Sequence, residues 1–241
     1  MPTLNAEAIP AMDGIFEPAE WAGYYTDGND TVGPGIGGQA YDAERLGLFF
    51  DNSMVYFGLQ TGFDLANGRD YFSLHFAPGD IAIDVNGDST YEYAIDFTIS
   101  GSSVLYTLVD MTLPGSSWNL PYYPQHAAAA GYFDATYSAA NIAGNFEGAY
   151  GDFAPGERIE DDNLNADTEL FYSNVIEGSF DLSLLSLYSG GPMKMHWTMG
   201  CGNDIINHTS EQAPIPEPAT MLLFGSGLVG LAGMARKKIR K

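Results

Sequence analysis

The chain has 241 residues, 45% hydrophobic and 13% aromatic, which is enough apolar surface for a sizeable core, and 31 acidic residues bring its formal net charge to −22. Five of the nine basic residues (Arg236, Lys237, Lys238, Arg240 and Lys241) fall in the last six positions, leaving the body only Arg45, Arg69, Arg158 and Lys194. Such a body repels phosphate backbones, which excludes nucleic acid as a partner, and a single cysteine, Cys201, excludes an internal disulfide framework and a cysteine-based metal site.

The start, "MPTLNAEAIPAMDG", has neither a basic n-region nor an apolar h-region, so no signal peptide is visible in it. In "RLGLFFDNSMVYFGLQTG", Leu46, Leu48 and Phe50 alternate, a turn at Asp51-Asn52-Ser53 follows, and Val55, Phe57 and Leu59 alternate again. "GDIAIDVNGDSTYEYAIDFTIS" repeats the pattern with Ile81, Ile83 and Val85, then Tyr91, Tyr93, Ile95, Phe97 and Ile99. "SVLYTLVD", "ELFYSNVIEGSF" and "MKMHWTM" add strands, and "DLSLLSLYS" suits one short helix. Many short strands with Gly/Asn/Asp turns predict an all-β fold: an antiparallel β-sandwich of jelly-roll type over residues 1–210. Residues 113–166, rich in Gly, Ala, Asn and aromatics with little period, read as an irregular insertion into that domain. Cys201 reads as a small buried residue at a strand end.

Enzyme templates find no match. His75, His126, His196 and His208 are scattered, with no HExxH, GxSxG or P-loop pattern. His196 alternates with apolar residues and reads as structural. The body is therefore expected to be non-catalytic, with a glycan-acting hydrolase built on a carboxylate pair as the enzymatic alternative. Calcium is the one cofactor the residues suggest. Asp84, Asn86, Asp88, Thr90 and Glu92 place oxygen donors on alternate positions of a Gly-containing loop, as a hard cation requires. The alternative is a plain hairpin turn, since Asn-Gly favours one by backbone geometry alone. A second acidic run, Asp161, Asp162, Asn163, Asp167 and Glu169, reads as a solvated loop. Trp118, Tyr122, Tyr123 and Tyr132, set among Asn, Gln and Gly, could stack on pyranose rings; equally, they could pin the insertion to the sandwich.

The last segment, from residue 211, changes character. Pro216-Glu217-Pro218 leads into 17 largely apolar residues, 219–235, and then the basic tip 236–241. Such a run is at the lower edge of a membrane-spanning helix, with the cations marking the cytoplasmic side. Pro216, Glu217 and Pro218, the apolar helix, and Arg236, Lys237 and Lys238 together resemble the PEP-CTERM sorting signal of exosortase-dependent bacterial surface proteins. The resemblance implies an exported protein of a Gram-negative bacterium, held transiently in the inner membrane by this helix. An exosortase-type enzyme then cuts near Pro-Glu-Pro, releasing the body to the cell surface or exopolysaccharide matrix. It also implies an export signal upstream. In the body, "MDGIFEPAEWAGY" and "LGLFFDNSMVYFGLQTGFD" resemble the opening strands of family-9-type carbohydrate-binding and DOMON-like sandwiches. With calcium, that likeness makes a calcium-dependent carbohydrate-binding module the alternative within non-catalytic functions.

Overall fold

The computed structural model describes residues 9–21, 23–28, 32–33, 35, 37–123, 132–153 and 173–211. A short β1 (Tyr25–Asp27) precedes the hairpin of β2 (Ala43–Phe50) and β3 (Met54–Thr61). Its turn closes because the Asp51 carboxylate accepts from the amides of Ser53 (2.7 Å) and Met54 (2.8 Å). A small hairpin, β4 (Arg69–Tyr71) and β5 (Leu74–Phe76), follows, then the meander β6 (Ile81–Asp84), β7 (Tyr93–Ser100) and β8 (Ser103–Asp110). β9 (Ser117–Asn119) pairs with β10 (Asp134–Thr136), and β11 (Ile142–Phe153), β12 (Ser173–Asp181), β13 (Met193–Thr198) and β14 (Ile205–Ser210) complete the described strands.

Ten of these strands form one antiparallel sheet, in the order β1-β2-β3-β12-β11-β8-β7-β6-β13-β14. The expected all-β antiparallel architecture is borne out, with a difference in how its halves are joined. Backbone pairing runs unbroken through the whole sheet, where a jelly-roll sandwich would divide into two. β14 comes to lie beside β2 and β1, so the sheet curls until its ends meet. The seam is tied by the amide of Ala43 donating to Asp204 Oδ2 (2.7 Å) and by Thr26 Oγ1 lying 3.1 Å from His208 Nδ1. The alternating residues read from the sequence, including Leu46, Phe57, Ile83, Tyr93, Met195 and Trp197, meet in one buried core.

The irregular insertion expected over 113–166 needs correction. Its residues 142–153 form β11, the longest described strand, between β8 and β12 near the middle of the sheet. The apolar period is hidden because glycine takes core-facing places. A Cβ on Gly148 would fall 2.6 Å from the Tyr106 ring, and one on Gly178 in the adjoining strand 2.9 Å from the same ring. Two missing side chains make room for one large one. Of the same stretch, 124–131 and 154–166 lie outside the described residues, and so does the second acidic run at 161–169. The helix suggested for "DLSLLSLYS" is a single 3-10 turn, Leu182–Leu184.

On the outer face, Gly47, Gly58 and Glu177 form a row across β2, β3 and β12, and the N-terminal segment lies on it. Trp21 is fully buried there because a Cβ on Gly47 or Gly58 would come within 2.5 or 2.9 Å of its indole. Phe16 stacks on Trp21 with centroids 5.1 Å apart. Burying a ring of this size contributes about 2–3 kcal/mol. The carboxylate of Glu177 accepts from the amides of Gly14 (2.9 Å) and Asp13 (3.1 Å). Burial, opposed by those two bonds, lifts its pKa to about 7.

Candidate functional site

β6 and β7 separate after the Ile83–Tyr93 pair, and the intervening chain is a built loop in place of a tight two-residue turn. Asp84, fully buried at the end of β6, organises it. Its Oδ1 accepts from the amides of Asn86 (3.1 Å) and Gly87 (2.6 Å), and its Oδ2 from Ser89 (2.9 Å). The Asn86 side chain accepts from the Asp88 amide (2.9 Å), and Asp88 accepts from the Thr90 amide (2.7 Å). Glu92, buried at the far end, closes the loop by accepting from the Val85 amide (3.0 Å) and the Asn86 side-chain amide (2.8 Å). These bonds are why Asp, Asn and Asp recur at every second position: short oxygen-bearing side chains satisfy amides two or three residues on.

The loop brings together carboxylate oxygens of Asp84, Asp88 and Glu92, all within 4.8 Å of one another, with Asp88 exposed and the other two buried. Three like charges at this spacing repel. Burial raises the Glu92 pKa, its bond from Val85 opposes this, and Asp84 and Asp88 raise it further. A divalent cation would relieve that repulsion, and carboxylate oxygens suit a hard ion such as calcium. Of the five residues expected to bind it, these three converge. Asn86 and Thr90 serve the loop through the bonds just described. The sequence pattern did not point to Lys194, which sits opposite Asp84 across the β6–β13 pair. Its ammonium, 5.4 Å from the centroid of Tyr91, supplies a positive charge next to the acidic loop.

The four aromatics expected to hold sugar are divided between two places. Trp118 and Tyr132 adjoin the acidic loop. Their rings meet edge to face at 5.6 Å, and Tyr132 lies 4.5 Å from Tyr91. Trp118 Nε1 donates to the Tyr91 carbonyl, and the Tyr132 hydroxyl to the Ser89 carbonyl, each at 3.3 Å. Tyr122 and Tyr123 instead pack on Phe76 of β5, at 5.9 and 6.1 Å. His196 is buried beside Tyr91 with Nδ1 3.0 Å from the Asn207 side-chain oxygen. Burial pushes its pKa down to about 4 despite that bond, so its imidazole is neutral at pH 7. Cys201 is fully buried, and burial pushes its thiol up to about 11, which keeps it unreactive.

Residues 214–238 match the PEP-CTERM protein-sorting motif. The match contains Pro216, Glu217, Pro218, Arg236, Lys237 and Lys238, so the sorting signal read from the sequence is borne out. The chain carries the C-terminal signal of exosortase-targeted exported proteins. This segment lies outside the described residues; among those residues, no helix is long and apolar enough to cross a membrane. No curated protein and no solved structure matches the chain, so the likeness of the body to carbohydrate-binding sandwiches rests on its sequence pattern alone.

Proposed function

We propose that this is a non-catalytic surface or exopolysaccharide-matrix protein of a Gram-negative bacterium. It is tethered in the inner membrane by residues 219–235 until an exosortase-type enzyme cuts near Pro216-Glu217-Pro218. The sorting motif at 214–238 carries this proposal, and the strongly acidic all-β body is the cargo. Mass spectrometry of the protein recovered from the cell surface tests it. The expected C-terminus lies near residues 216–218, and a mature protein still ending in Lys241 would sink the idea. Changing Pro216, Glu217 and Pro218 together to alanine is expected to hold the chain in the membrane fraction.

The convergence of Asp84, Asp88 and Glu92 favours a second property of the body, calcium binding, with Trp118 and Tyr132 as a sugar-stacking pair beside that loop. A cation held only by the folded chain must raise its melting temperature. At calcium 100-fold above the dissociation constant the gain is about 2.7 kcal/mol. The melting midpoint is expected to drop when EDTA is added to calcium-loaded protein. An equal midpoint with calcium and with EDTA excludes the site.

A further inference from the structure

The small hairpin β4–β5 projects aromatic rings that the acidic loop does not account for. Tyr71 pairs with Leu74, so Phe72 and Ser73 alone make the turn. Phe72 has φ +54°, in the left-handed region, where a bulky side chain is strained and glycine or asparagine would sit more easily. Its ring is nevertheless 91% exposed, so burial offers no compensation for the strain. Tyr71, half exposed, meets Phe72 edge to face at 4.6 Å. A second group of rings gathers on Phe76, at the other end of the same hairpin. Phe76 supports Tyr122, itself 56% exposed, and Tyr122 meets Tyr123 at 5.1 Å. Arg69 lies 5.8 Å over the Tyr41 ring. On the opposite side of the hairpin, His75 Nδ1 is 2.8 Å from Asp70 Oδ1.

We infer that the hairpin Arg69–Phe76, with Tyr122 beside it, is a stacking platform for an uncharged polysaccharide. The occupant follows from three features. Exposed ring faces with the phenol hydroxyls of Tyr71 and Tyr122 at their edges match the two sides of a pyranose, whose axial C–H bonds stack while its hydroxyls hydrogen-bond. A net charge of −22 repels anionic chains and second copies of this protein alike. The protruding tip is only two residues wide, which suits a narrow linear chain better than the broad, rimmed patch of a protein interface. Strain retained at an exposed site points to a role outside folding. This platform rests on the proposal that the body is an exported, non-catalytic domain, but it needs neither calcium nor Trp118.

The test is affinity electrophoresis of the full chain, in a non-ionic detergent, through native gels holding a neutral glucan, a neutral mannan or an anionic polyuronate. Retardation is expected in a neutral gel, unchanged by EDTA, and none in the polyuronate gel. Tyr71→Ala and Phe72→Asn are each expected to weaken binding about tenfold, the scale of one lost ring contact. Phe72→Asn is expected to melt no lower than the parent, because asparagine tolerates the left-handed region. The inference is overturned by free migration in every neutral gel, by retardation undiminished in Phe72→Asn, by retardation in polyuronate, or by loss on Trp118→Ala or EDTA alone. Surface processing is read by mass spectrometry, so failure of the platform is distinguishable from failure of the sorting proposal.

Discussion

Among the described residues, two turns hold a residue other than glycine at positive φ, Ser89 at +69° and Phe72 at +54°, and their surroundings are opposite. The Ser89 amide is held by the buried Asp84 carboxylate, and its carbonyl accepts from Tyr132. Around it the backbone is determined several times over, so the strain is absorbed by a polar network. At Phe72 a two-residue turn carries a large, almost wholly exposed ring. One irregularity is the by-product of satisfying carboxylates; the other keeps an apolar surface in water. The same backbone signal therefore marks a folded-in site in one turn and an outward-facing one in the other.

The difference can be broken most forcefully at Asp84. Asp84→Ala leaves three loop amides without their acceptor and is expected to destabilise the chain by about 3 kcal/mol, read from urea unfolding. A loss under about 1 kcal/mol would show that the loop does not depend on its network. An intermediate effect is expected from pH. Glu92 has its folded pKa raised above the unfolded value, so its contribution is fully present below the ordinary carboxylate range and is lost as pH rises through the folded pKa. Glu177 acts in the same sense, between about 4.5 and about 7. His196 and His208, both lowered to about 4 by burial, act in the opposite sense: their stabilisation is present above about 6.5 and is lost as pH falls towards 4. Metal-free Glu92→Gln is therefore expected to lose less stability than the parent on going from mildly acidic to neutral pH. Equal pH profiles for the two would remove Glu92 from the account. The smallest effect is expected from glycine at the two strained positions. Ser89→Gly and Phe72→Gly are each expected to shift stability by less than about 1 kcal/mol, because relief of strain offsets the added freedom of the unfolded chain. A larger loss for Phe72→Gly would mean that its ring packs in solution, and would erase the contrast.

Strands whose inward positions are filled by large apolar residues, such as β2, β3 and β13, were legible from alternation. β11 was not, because Gly148 stands where the pattern needs a side chain and the Tyr106 ring occupies the space from a neighbouring strand. The acidic loop was legible because local amide capture imposes its own two-residue spacing. The aromatic set was only half legible: proximity in sequence grouped four rings that two different supports, the loop and Phe76, draw apart. Phe72 carried no turn signal, since neither Gly nor Asn marks the tip of "RDYFSLH". Trp21 gave no sign of its place because its receptor consists of glycines on other strands.

The seam between β14 and β1–β2 also bears on when the protein can be finished. The sheet's two ends come from opposite ends of the body, and the closing strand stops at Ser210, only a few residues before the sorting motif begins at 214. No amino-terminal portion of the chain can complete this sheet by itself. A truncated body would lack the β14 that lies against β2 and β1 and would also lack the signal. Completion of the sheet and possession of the address thus depend on the same last stretch of chain. A cut at Pro216–Pro218 spares β14, so the released domain keeps the strand that closes it.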